Sequence, residues 1–103
     1  MMQALRELDE ARDWMVTLGR KTAAEKVASF LYLLATHIDP TEESVLLTFD
    51  LPLSRADIAD FLGLTIETVS RQLTKLKAEK VVEIVNYRHV SIKDLAHLRL
   101  RCG

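Results

Sequence analysis

Cysteine is almost missing from this 103-residue chain: Cys102 stands alone, so the chain has neither an internal disulfide framework nor a cysteine-cluster metal site. Two prolines and three glycines are too few for a loop-rich or disordered chain. Long apolar runs are missing too. The uncharged stretch from Val27 to His37 falls well short of the roughly 20 residues that a membrane-spanning helix needs. Met1 to Arg12 is charged throughout, unlike a secretory leader, so the expected setting is reducing, intracellular and cytoplasmic, with no membrane partner. His37, His89 and His97 are far apart, and no glycine-rich phosphate loop, metal-ligand spacing or nucleophile elbow accompanies them. These absences leave no enzyme chemistry and no expected cofactor or metal. Charge of one sign is also lacking, since 14 basic residues face 15 acidic ones. Such a chain does not coat nucleic acid over its whole surface.

What is present is one domain's worth of core. Hydrophobic residues make up 49% and charged residues 28%, and the length accommodates a single domain. The neutral total hides a polarity. From His37 to Asp60 there are six acids against one base, and from Thr65 to Lys93 six bases against three acids. An excess of cations on one segment can make a local phosphate-binding face.

Residues 1–17 read as a helix with an a/d seam at Met1, Leu5, Leu8 and Met15, which is a candidate self-pairing element. Residues 20–37 form a second helix, with Thr22 and Glu25 spaced as a capping box and Val27, Phe30, Leu31 and Leu34 as its core stripe. Asp39-Pro40 breaks it and an acidic loop with Glu42 and Glu43 follows. Val45 to Phe49 reads as a strand interrupted by Asp50, and Leu51 to Leu53 as a short extended edge piece. Two helices fill residues 54–80, with Ile58, Ala59, Phe61 and Leu62 as the apolar face of the first. Val81 to Val85, a turn at Asn86-Tyr87, and His89 to Ile92 read as a hairpin, before a last helix over 93–100. The fold class is therefore mainly α with small β-hairpins (α+β).

The stretch from Ser54 to Leu73 carries the chemistry. Ala59 is small where a second helix must cross closely, and Gly63 supplies the positive φ of a sharp turn. Val69 and Leu73 insert back between the helices, and Ser54 and Thr65 sit at the two N-caps. These fixed spacings are those of a helix-turn-helix. On the outer face of its second helix lie Ile66, Glu67, Ser70 and Arg71. Arginine can give two hydrogen bonds to guanine, glutamate can accept from cytosine, serine is adaptable and isoleucine offers only apolar contact. Glu67 and Arg71 are also spaced as an i,i+4 ion pair, which would pre-orient the arginine. A winged helix of this kind can alternatively dock a protein through the same face, so a protein-interaction module is the second reading.

The sequence resembles the C-terminal part of the Crp/Fnr superfamily of transcription regulators, in particular the Fnr and FixK branch, over residues 20–95. The resemblance rests on Thr22 to Leu31, on Leu53 to Arg71 and on the wing at Val81 to Ile92. It implies a winged helix-turn-helix over residues 19–103, preceded at 1–18 by the end of a dimerisation helix, with no sensor domain in the chain. It implies a homodimer on double-stranded DNA bearing a TTGA-type inverted repeat. Arg71 would read the guanine, Glu67 its cytosine-side neighbourhood and Ser70 an adjacent thymine. Ile66 stands where the Crp branch has an arginine, which favours the Fnr type of half-site. Ser54, Arg55, Thr65 and Thr68 would hold phosphates, joined by Arg88 and His89 at the wing. The loop around Asp39, Glu42 and Glu43 would be a candidate surface for RNA polymerase.

Overall fold

The computed structural model describes residues 19–41 and 46–103. Helix α1 spans Ala23–Ile38 and starts from a complete capping box: the Thr22 hydroxyl accepts from the Glu25 amide at 3.2 Å, and the Glu25 carboxylate accepts from the Thr22 amide at 2.9 Å. The Thr22 backbone bond first and its hydroxyl second hold the Glu25 carboxyl below its ordinary range. Val27, Ala28, Phe30, Leu31 and Ala35 recur at helical spacing and are buried, which places α1 against the rest of the core.

Strand β1 follows at Leu47–Asp50, helix α2 at Arg55–Leu62 and helix α3 at Ile66–Ala78. A hairpin of β2, Glu83–Val85, and β3, His89–Ile92, leads to helix α4, Leu95–Leu100. The sheet is antiparallel in the order β1-β3-β2, so β3 is central. Phe49 and Ile84 both lie opposite Val90, and all three are buried on the face that joins the core. Helix α3 packs on α1 and α2, and α4 packs on α1.

Several boundaries differ from the sequence expectation. Asp50 does not interrupt the strand but ends it, opposite His89. Leu51 to Leu53 forms no strand of its own: the Leu51 amide donates to the Arg88 carbonyl at 2.8 Å, which continues β1 beside the wing and uses up the pairing. The sheet is thus one three-stranded unit. Val81 and Val82 are core residues outside the hairpin. Lys80 adopts a left-handed φ of 60° and the Val81 amide caps α3 at the Leu76 carbonyl, 3.0 Å away, so its ladder donor is spent. Helix α4 begins at Leu95 rather than at residue 93, because Asp94 is its N-cap and accepts from the His97 amide. Phe61 is 47% exposed rather than core, and its ring meets Phe30 edge-on at 5.8 Å.

The C-terminal end is tied to α1. The Cys102 carbonyl accepts from the Lys21 ammonium and from the Ser29 hydroxyl, and Arg101 pairs with Glu79 at 2.7 Å. Burial pushes the half-buried Cys102 thiol up, away from the reactive thiolate. No helix among the described residues is long and apolar enough to cross a membrane.

Candidate nucleic-acid interface

The turn between α2 and α3 is built as its residues require. Gly63 has φ 69°, and the Leu64 amide returns to the Ala59 carbonyl at 2.9 Å. The Lys26 ammonium donates to the Leu62 carbonyl at 3.2 Å, so a cation from α1 closes the negative end of α2. Thr65 then caps α3, its hydroxyl accepting from the Thr68 amide at 3.1 Å and lying 2.7 Å from the Thr68 hydroxyl. Ser54 caps α2 in the same way, accepting from the Asp57 amide at 3.1 Å.

Helix α3 has two faces. Val69, Leu73 and Leu76 are buried between α1 and α2. Ile66 (51% exposed), Glu67 and Arg71 project to solvent, and Ser70 is half-buried beside them. The four residues assigned to base reading therefore share one outer surface. Glu67 and Arg71 make no ion pair among the described residues, so the expected pre-orientation of Arg71 is absent. Both are solvated, and an exposed i,i+4 pair gains only a few tenths of a kcal/mol. The Arg71 guanidinium keeps all its donors free of the other described residues.

The N-terminus of α2 meets the wing. The Arg55 guanidinium lies over the Tyr87 ring, 5.9 Å from its centroid. Burial lowers the Arg55 pKa and the nearby Tyr87 opposes that shift; the guanidinium stays charged. A groove between α3 and the wing is lined by Arg55, Ser70, Thr74, Lys77, Asn86 and Tyr87. The sequence assigns no binding role to Thr74 and Lys77, and marks Asn86 only as a turn residue. Thr74 and Lys77 follow Ser70 by four and seven residues, so the helical period that marked Ser70 marks them as well.

The remaining assigned residues divide. Arg88 is exposed at the wing, with its amide and carbonyl engaged by Val85 and Leu51 and its guanidinium unpaired among the described residues. His89 opens β3, as the sequence leads one to expect, and its Nδ1 is 2.9 Å from an Asp50 carboxylate oxygen. Asp39 caps α1 and accepts from the Thr41 amide and hydroxyl. Glu42 and Glu43, like Met1, Leu5, Leu8 and Met15, lie outside the described residues. The described residues contain no group of His, Cys, Asp and Glu that could hold a metal ion.

A family model of the Crp-like helix-turn-helix domain matches residues 25–101. The chain belongs to this family. It is 62% identical over 96 residues to a probable transcriptional activator of Rhizobium leguminosarum bv. viciae, covering 93% of this chain and 40% of that protein. It is 49% identical over 102 residues to the transcriptional activator protein FnrL of Cereibacter sphaeroides, covering 96% and 41%. The solved structure of FixK2 from Bradyrhizobium japonicum superposes with a TM-score of 0.78 at 37% identity, covering 97% of this chain and 48% of that one. The chain thus spans less than half the length of these relatives. The match to FixK2 establishes the winged-helix, mixed α+β fold. The family and the names of these relatives are those of transcription regulators, of the Fnr and FixK type, and not of enzymes.

Proposed function

We propose that this chain is the sequence-reading part of an Fnr/FixK-type transcription regulator and that it works as a dimer on a two-fold TTGA-type site in double-stranded DNA. The observation that carries the reading is the outer face of α3, where Ile66, Glu67, Ser70 and Arg71 stand together with no partner for the arginine among the described residues. Arg71 gives two hydrogen bonds to a guanine edge, Glu67 accepts from a cytosine amino group beside it, Ser70 adjusts to an adjacent thymine, and Ile66 meets a thymine methyl.

Phosphates fix the register. The hydroxyls of Ser54, Thr65 and Thr68, the Arg55 guanidinium and the N-terminal amides of α3 hold the backbone on either side of the major groove. Arg88 reaches the next phosphates from the wing. His89 is engaged by Asp50 and contributes after that contact opens. A single recognition helix covers only a few base pairs, and two copies about 34 Å apart on one face of the duplex combine their specificity. The seam at Met1, Leu5, Leu8 and Met15 supplies that pairing, over residues 1–18, with the DNA-reading domain over 19–103. The acidic Asp39, Glu42 and Glu43 region is the candidate contact to RNA polymerase, and the setting is the cytoplasm.

Fluorescence anisotropy with a TTGAT…ATCAA duplex and a scrambled duplex, across a salt series, tests this. Preference for the palindrome, steepening with protein concentration, is the expected result. Binding with equal affinity to both duplexes would overturn sequence reading, and no binding at low salt would turn the interpretation to a protein partner.

A further inference from the structure

Tyr87 is the second central residue of the β2–β3 turn, which the Arg88 amide closes on the Val85 carbonyl at 3.3 Å, and the turn does not require its aromatic side chain. It is an aromatic residue with a left-handed φ of 64°, directly after Asn86 at 54°. A primed hairpin turn needs a positive φ at both central residues, so the turn accounts for the backbone; glycine is the usual residue at the second of them, and a tyrosine there carries strain that its ring must justify. Tyr87 is 81% exposed, so the ring does not serve the core. Its ring lies under the Arg55 guanidinium, which has no acidic partner among the described residues.

We propose that Tyr87 is a positioning residue: its ring clasps Arg55, locking the wing tip to the start of α2 and presenting that cation to a DNA phosphate. The inference rests on the DNA-reading function proposed above. The groove supports it, because Arg55 and Tyr87 form one side and Lys77, Thr74 and Ser70 the other, with Asn86 at the turn. A phosphodiester entering there meets cations from both α2 and α3. A free arginine would lose rotamer freedom on binding, whereas one held over a ring has already lost part of it. The ring face attracts the guanidinium without neutralising it, as a carboxylate would.

The clasp makes a prediction that a purely structural tyrosine does not. Tyr87→Gly removes the ring and also relieves the left-handed backbone, so thermal stability holds or rises while DNA affinity falls. From the usual strength of an exposed cation–π contact, the loss is about two- to fivefold per protomer. Tyr87→Phe keeps the ring and keeps the affinity. Arg55→Lys keeps the charge but not the guanidinium over the ring, and loses affinity to a similar extent.

Two readouts decide it. In the free protein, the Arg55 side-chain protons should show an upfield ring-current shift in NMR spectra, present in Tyr87→Phe and lost in Tyr87→Gly. In a double-mutant cycle on the palindromic duplex, Tyr87→Gly should weaken binding in the wild-type background and have no effect in Arg55→Ala. Absence of the ring-current shift overturns the clasp whether or not the chain reads DNA. An unchanged Tyr87→Gly penalty in Arg55→Ala also overturns it, since Tyr87 would then meet the duplex on its own. Failure of the DNA-reading function is seen separately, in equal affinity for the palindromic and scrambled duplexes.

Discussion

The helix-turn-helix and the wing turn the chain by the same device and hold it by different means. At the end of α2 a glycine, Gly63, takes the left-handed φ. At the end of α3 and at the wing tip, Lys80, Asn86 and Tyr87 do so, and none is glycine. The helices are fixed by a buried stripe, Val69, Leu73 and Leu76, whereas the wing tip is held by an aromatic ring under Arg55 and by the backbone bonds of Arg88 to Val85 and Leu51. The helical part is thus rigid through burial, and the wing tip through exposed polar and aromatic contacts that a single substitution can undo.

Loss of the stripe should have the largest effect. Leu73→Ala removes a buried side chain from the α3 contact with α1 and α2 and should cost about 2–5 kcal/mol of stability, measurable by urea denaturation. Next comes the outer face of the same helix. Arg71→Ala should leave the melting temperature unchanged and lose about 1–3 kcal/mol of binding to the palindromic duplex, with discrimination relaxed at one base. The two left-handed helix ends differ in the same sense. Nothing lies within 4 Å of a Cβ placed at Gly63, so Gly63→Ala should cost only its backbone strain, about 1–2 kcal/mol. Lys80→Gly should go the other way and stabilise by about 0.5–1 kcal/mol. It relieves the same kind of strain, less the freedom that a glycine adds to the unfolded chain.

The smallest effect is electrostatic. The Glu25 carboxyl is held below its usual value by hydrogen bonds from Thr22, so it favours the folded state above a pH of about 4.5. That contribution disappears as pH falls through the lowered folded value. Glu25→Gln should flatten this part of the acid limb in melting temperature against pH. An unchanged acid limb would show that the capping box does not contribute.

This contrast also marks what was legible in the sequence. Ala59, Gly63, Val69 and Leu73 announced the helix-turn-helix because each spacing has one steric use. Caps at Thr22, Ser54 and Thr65 were legible for the same reason. The wing was less legible. Lys80 carries no sign of its left-handed cap, so Val81 and Val82 looked like strand. Asp50 looked like a break, because its pairing with β3 depends on a partner some 40 residues away. Thr74 and Lys77 were within reach of the helical period, but Tyr87 under Arg55 was not, since nothing local places a turn residue against a distant helix start. Among the candidate site residues, the outer face of α3 was set by periodicity. The wing contacts depend on a tertiary sheet that only the structure supplies.

On the proposed function, the outer face of α3 reads bases while the surrounding polar groups hold phosphates. Comparing Arg71→Ala with Lys77→Ala on a panel of single-base variants of the palindrome, at several salt concentrations, tests it most directly. The expected result is that Arg71→Ala loses discrimination at one position of each half-site, with specificity elsewhere intact. Lys77→Ala should weaken all the duplexes alike and make the salt slope shallower by about one unit for each phosphate that is no longer neutralised. Uniform weakening by both variants, with no position relaxed, would contradict the account and leave α3 as a phosphate anchor only.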